Sequence, residues 1–214
     1  DQTGATGTAE DARLLAFDAC KRFDREALAA LLHGEAAVLG LPKFLRERVA
    51  PLLEEVGTAW GRGEIEIRHE HFFSEVLEDE LRRLRAPLET ATQGRPVVVA
   101  SLPNELHGLG LQIAALAIVT AGRSVRVLGP HLPVEEIVQA AKSLDASAVG
   151  LSVSGFAETE ETLREITAVR ERLPDATALW IGGAGSANLE NLPAGVEKTA
   201  SLDDLDRVLT QLPE

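Results

Sequence analysis

From residue 96 onward, short runs of β-branched and aliphatic residues alternate with stretches of helical period, and this alternation restricts the second half to one class of architecture. Pro96-Val97-Val98-Val99-Ala100 reads as a strand, followed by a loop and a helix over 108–122. Further strands are expected at 125–128, 148–153, 178–181 and 197–200, separated by helices at 134–144, 160–172 and 202–212. Strands that are apolar at consecutive positions are buried on both faces, so the expected sheet is parallel and doubly wound. In such sheets a ligand sits beyond the carboxyl ends of the strands, near the reversal of strand order. The loops 101–110, 129–133, 152–158 and 182–186 are therefore where a site is expected.

Residues 9–91 follow the helical period throughout. Thr8, Glu10 and Asp11 open a helix whose expected apolar stripe is Leu14, Leu15, Phe17, Ala19 and Phe23. Asp24 is placed to cap a second helix running through Leu28, Leu31, Leu32 and Val38 to Gly40. A third extends from Pro42 to Trp60 with Pro51 as a bend, and a fourth from 65 to 84, stopping before Pro87. Four helices with short joints predict a small bundle. Residues 1–8 are small and polar, like a linker, as expected either after another domain or after processing, and 90–95 read as the joint between bundle and sheet. The expected fold class is thus α plus α/β: a four-helix bundle (9–91) followed by a flavodoxin-like doubly wound sheet (96–214).

Charge and cysteine usage narrow the functions. The net charge is −13, from 21 basic and 34 acidic residues. A chain holding DNA through its own surface carries a basic patch or stripe, and an excess of acid opposes that. No stretch reaches the ~20 apolar residues that span a bilayer. The single cysteine, Cys20, cannot form an internal disulfide, which suits a reducing cytoplasm, and its apolar helical setting predicts a buried thiol. No nucleophile–base pair, phosphate loop or zinc spacing indicates an independent enzyme.

The chemistry-bearing residues cluster in the loops already singled out. Glu105 and His107 follow the first strand, and Gly108 and Gly110 remove side chains that would block a large flat ligand from His107. Glu105 can accept one imidazole proton, fixing the tautomer and raising the basicity of the other nitrogen. Ser152 and Ser154 follow the third strand, and Gly182-Gly183-Ala184-Gly185 the fourth. These read either as ordinary turn residues or as the lining of a slot for a ligand tail. No G-x-G-x-x-G follows the first strand, which argues against a dinucleotide site.

In this order, E-x-H-x-x-G, S-x-S and G-G resemble the cobalamin-binding fold of corrinoid proteins over 96–214, with Ser154 where that pattern usually has Leu. The resemblance implies that His107 is the cobalt ligand, replacing the cofactor's own base. The displaced nucleotide tail would lie against Ser152, Ser154, Gly182 and Gly183. Glu in the first motif, in place of the Asp of methyl carriers and mutases, is similar to the cobalamin photoreceptors of the CarH type, MerR-family repressors, and to their AerR-type antirepressor relatives.

Trp60, nine residues and then Glu70-His71 form a W-x9-E-H pattern that also looks like the helical domain of CarH-type photoreceptors. The resemblance implies that this domain caps the upper corrin face, with Trp60 over the upper axial group and Glu70 and His71 bonded to the adenosyl moiety or corrin rim. Taken alone, Trp60 reads as a core aromatic, and Glu70 and His71 as a solvated helix face. The family implies adenosylcobalamin, light-driven loss of the adenosyl group, a change of homo-oligomeric state and release of DNA held by an N-terminal helix-turn-helix domain. Gly61 stands where known photoreceptors have a second histidine, so bis-histidine ligation from that position is excluded. His69 or His71 in its place, water or hydroxide, or a different photocycle remain open. His131 faces the same end of the sheet and is read as a contact of the corrin rim, and His33 as structural or exposed. The alternatives are a corrinoid carrier in methyl transfer and a light-independent antirepressor.

Overall fold

The computed structural model describes residues 9–155 and 157–213 and divides the chain into two compact units, residues 1–81 and 82–214. The linker-like tail at 1–8 and the capping Thr8 lie outside the described residues.

The first unit is helical. Helix α1 (Ala9–Lys21) buries Ala12, Ala16, Ala19 and Cys20, whereas Leu14, Leu15 and Phe23 are exposed. The expected stripe is corrected in part: Ala19 is buried and Phe17 half-buried as read, whereas Leu14, Leu15 and Phe23 point outward and Ala12, Ala16 and Cys20 complete the close-packed face. Burial pushes the Cys20 thiol up to about 12, as an inert buried thiol requires. In α2 (Arg25–Leu39) the Asp24 side chain accepts the Ala27 N–H at 3.0 Å, and the helix ends at Gly40, whose φ of 74° suits glycine. Leu28, Leu32 and Ala36 are its buried face, and Val38 is exposed.

The single helix expected from Pro42 to Trp60 is α3 (Leu41–Phe44), a π turn (Leu45–Val49) and α4 (Ala50–Gly61). Pro51 has no N–H for the Glu47 carbonyl, and its ring would strike that oxygen in a regular helix. The wide turn relieves the clash: Ala50 N–H reaches back to Leu45 O, and the Arg48 guanidinium donates to Glu47 O at 3.0 Å. Helix α5 (Ile67–Glu89) runs past the expected stop, because Pro87 lies near its end, where little of the hydrogen-bond ladder remains to be lost. Phe44, Leu45, Phe73, Leu77 and Leu81 are among the fully buried side chains of the helical segment.

The second unit is a five-stranded parallel sheet of order β2-β1-β3-β4-β5, formed by β1 (Gln93–Ser101), β2 (Arg123–Gly129), β3 (Ala148–Ser152), β4 (Ala178–Gly182) and β5 (Val196–Thr199). This is the flavodoxin-like winding, with the strand order reversing between β1 and β3. The joint expected at 90–95 is shorter than read, since β1 begins at Gln93; a register shift then passes Pro96, which lacks an N–H to pair. Helices α6 (Leu109–Thr120), α7 (Val134–Ser143), α8 (Thr159–Arg172) and α9 (Leu202–Gln211) cover the sheet. One face is packed by Val98, Ala100, Val149, Leu151, Leu179 and Ile181 together with residues of α7 and α8. A short 3-10 turn (Ala184–Asn188), not anticipated from the sequence, follows β4. Among the described residues no helix is long and apolar enough to cross a membrane.

Candidate functional site

The reversal between β1 and β3 puts the loop after each strand side by side, and both meet at one carboxylate. Glu105 is 7% exposed. Its Oε1 accepts the backbone N–H of His107 at 3.0 Å and pairs with His107 Nδ1 at 2.8 Å; its Oε2 accepts the Ser154 N–H at 2.7 Å. Burial works against ionisation of Glu105, but the hydrogen bonds from Ser154 and His107 outweigh it and hold its carboxyl below the usual carboxylate range. A carboxylate only accepts, so Nδ1 of His107 is the donor of this pair. The His107 side chain is 55% exposed, so a ring oriented by Glu105 stands at the protein surface.

The loop carrying these groups is braced from β2. Glu105 O accepts the His131 N–H at 3.0 Å, and Asn104 N–H donates to His131 Nδ1 at 2.9 Å. Asn104 and His131 both take left-handed backbone, with φ of 65° and 57°. His131, read from sequence as a contact of the corrin rim, is in this structure a support of the Glu105 loop. A cleft of about 180 Å³ opens beside this loop between Asn104, Glu105, Ser154 and the start of α8. The α8 N-terminus is closed by the Glu158 carboxylate, which accepts the Glu160 and Glu161 N–H groups.

The four residues expected to line a tail slot fall into two pairs. Ser152 and Gly182 are register partners on β3 and β4, and a Cβ on Gly110 of α6 would stand 2.5 Å from Ser152 Oγ. Gly110 and Ser152 therefore face each other with no side chain between them. Gly183 and Ser154 belong to the connecting loops. A Cβ on Gly183, at φ 92°, would meet Val153 O at 2.5 Å, and one on Gly185 would meet Ser154 O at 2.0 Å. Backbone against backbone accounts for these glycines, with Val153 N–H on Gly182 O at 2.9 Å and Gly185 N–H on Val153 O at 3.0 Å. Ser101 and Ser186, not singled out from the sequence, have buried hydroxyls without a hydrogen-bond partner. An isolated serine at a strand end carries no sequence signal that would have marked it.

On the helical unit, Trp60 is 38% exposed near the end of α4, so it is not a core aromatic. Glu70 and His71 lie on the first turns of α5, where His71 Nδ1 pairs with Glu70 Oε2 at 2.5 Å and the Ser74 hydroxyl donates to Glu70 Oε1 at 2.8 Å. His69 is committed locally: its Nδ1 accepts the Glu66 N–H at 3.0 Å and its ring stacks on Phe23 with centroids 5.0 Å apart. His33 pairs with the buried Glu80 at 2.8 Å, agreeing with a structural role.

The residues of the second unit fit a corrinoid on structural grounds: a buried carboxylate that fixes an exposed imidazole, a glycine facing a serine hydroxyl, and the orphaned Ser101 hydroxyl at the end of β1. Comparison with known proteins agrees. The B12 binding domain family matches residues 95–195, and a second B12 binding domain family matches residues 16–85. The HTH-type transcriptional repressor CarH of Myxococcus xanthus is 31% identical over 86% of this chain and 64% of its own length. The chain thus spans less than two thirds of that repressor. Dimethylamine corrinoid protein 1 of Methanosarcina mazei is 22% identical over 79% of each chain. The solved structure of the Methanosarcina barkeri monomethylamine corrinoid protein shares the fold at a TM-score of 0.68, with 16% identity, over 94% of this chain and 96% of that one.

Proposed function

Since the chain belongs to the B12-binding proteins of the CarH type, we propose that it is the sensory module of a cobalamin-dependent regulator, with His107 as the lower cobalt ligand. The observation that carries this reading is the Glu105 clamp. A histidine used as a metal ligand commonly gives its other ring proton to a carboxylate, which fixes the ring and raises its basicity. Glu105 does this for His107, and Ser154 holds Glu105 from the loop after β3. Ser152, Gly110 and Gly182 would flank the nucleotide tail, with Ser154 and Gly183 shaping the loops around it. Trp60, Glu70 and His71 would contact the upper axial ligand.

Adenosylcobalamin, when bound, supplies a cobalt–carbon bond that light can break. The chain's own part is to hold an exposed imidazole oriented by Glu105 and to offer the upper ligand an exposed indole and a Glu–His pair whose contacts change when that ligand is lost. A ligand shifts an equilibrium only through contacts that differ between two states. Homo-oligomerisation, and control of DNA through a helix-turn-helix domain or a partner regulator, belong to the same proposal, as does a cytoplasmic site of action.

The test is the absorbance spectrum of the chain reconstituted with adenosylcobalamin, before and after green light, for the wild type and His107→Ala. The reading requires a retained His-ligated pigment, its loss or altered spectrum in the variant, and a light-dependent change of adduct mass and oligomer. Retention with an unaltered spectrum in His107→Ala would sink it. A second reading, a corrinoid carrier in methyl transfer, draws on the similarity to dimethylamine corrinoid proteins; it requires methylation of the reduced cofactor by a partner methyltransferase and no response to light.

A further inference from the structure

At the carboxyl edge of the sheet, Ser101, Ser152, Gly182 and Thr199 stand in register on β1, β3, β4 and β5. Alternation along the strands decides which way this row faces. Val98, Ala100, Val149, Leu151, Leu179 and Ile181 pack with α7 and α8, so the residues between them turn to the opposite face. There the Ser152 hydroxyl meets the bare Cα of Gly110 on α6. The row is a strip of small side chains rich in hydroxyls, continuous with the position proposed for the nucleotide tail.

Ser101 is the member of this row that its surroundings do not explain. It is 0% exposed, and its Oγ makes no hydrogen bond. The Thr199 hydroxyl, in the same row, donates to Ile181 O at 3.3 Å. A hydroxyl buried without a partner opposes folding, and alanine would fill the same place without that penalty. A bound molecule bringing an acceptor atom to this row would satisfy it.

We propose that the Ser101 hydroxyl donates a hydrogen bond to the nucleotide tail of the cofactor and so selects corrinoids that carry one. The inference rests on the cobalamin reading above, and it adds a determinant on β1 to those expected after β3 and β4. Ser101 would contribute nothing toward the corrin ring itself, which in that reading is met by His107.

The experiment compares equilibrium dissociation constants for adenosylcobalamin and for adenosylcobinamide, which lacks the nucleotide, in the wild type, Ser101→Ala and Ser101→Thr. Ser101→Ala should weaken adenosylcobalamin about tenfold, the usual scale for one buried hydrogen bond, and leave adenosylcobinamide unchanged. Ser101→Thr, which keeps the hydroxyl, should restore preference for the complete cofactor. The thermal midpoint of the ligand-free Ser101→Ala chain should equal or exceed that of the wild type, which separates a binding contact from a folding one. Equal losses for both corrinoids, or no loss for either, would overturn the assignment of Ser101. A wild type that binds neither compound would overturn the cobalamin reading itself.

Discussion

Ser154 N–H lies 2.7 Å from Glu105 Oε2, so the group that orients His107 is anchored on a different strand from the one that carries it. The His107 ring is thereby tied to the spacing of β1 and β3, the two strands between which the sheet reverses.

Replacing Glu105 with Gln tests this anchor. Both carboxylate oxygens now accept N–H groups, and an amide can present an acceptor to only one side. Cobalamin affinity should fall by ~10–100-fold, the range seen when the partner of a ligating histidine is lost. The contribution of Glu105 to stability should also depend on pH in a defined direction. Its folded pKa is lowered, so the stabilisation is present above the ordinary carboxylate value (~4.3) and is lost as pH falls through the lower folded value. Denaturation measured between neutral and strongly acidic pH should show that loss in the wild type and not in Glu105→Gln.

Two glycine substitutions should separate folding from binding. Gly183→Ala forces a Cβ onto the Val153 carbonyl in left-handed backbone and should cost ~2 kcal/mol or more in urea denaturation. Gly110→Ala meets only the movable Ser152 hydroxyl. Its ligand-free stability should change by less than ~1 kcal/mol, while its cobalamin affinity drops because the space beside Ser152 is filled. Equal loss of stability in the two variants would contradict the distinction between backbone and side-chain contact.

Glu165 offers a stabilising change. Burial, and then the Glu161 carboxylate, push its carboxyl up to about 6. A raised acid favours the folded state below its unfolded value near 4.3, and that advantage is lost as pH rises through 6. Glu165→Gln should therefore raise the thermal midpoint at pH 8 and change it little at pH 4. The gain should be ~1 kcal/mol, after discounting the shift for partial solvent exposure.

Asp24→Ala should remove the cap on Ala27 N–H and destabilise the helical unit by ~1 kcal/mol, leaving cobalamin-binding stoichiometry unchanged. Circular dichroism melts combined with cofactor titration check both halves of that expectation.

Much of the second unit was legible because its strands are short, branched and apolar against helices of clear period, so order and winding followed from pattern. The Glu105–His107 pair was legible because two residues in one loop are near each other in any fold. What escaped depends on contacts distant in sequence. Leu14 and Leu15 are apolar but exposed, because the tight face of α1 demanded the small side chains of Ala12 and Ala16. The brace from His131 depends on where β2 lies beside β1, and the orphaned Ser101 hydroxyl on the absence of an acceptor among neighbours distant in sequence. Gly183 and Gly185 read in the sequence as turn residues, whereas the reason they must be glycine is the backbone of the neighbouring loop.

The π turn at Leu45–Val49 behaves as one surplus residue inserted into a continuous rod. Winding that residue back into a regular α-helix, as Pro51→Ala would allow, would swing everything beyond it by ~100° about the axis. The compass bearing of the Trp60 indole is therefore decided upstream, by a proline and the arginine that shields its orphaned carbonyl.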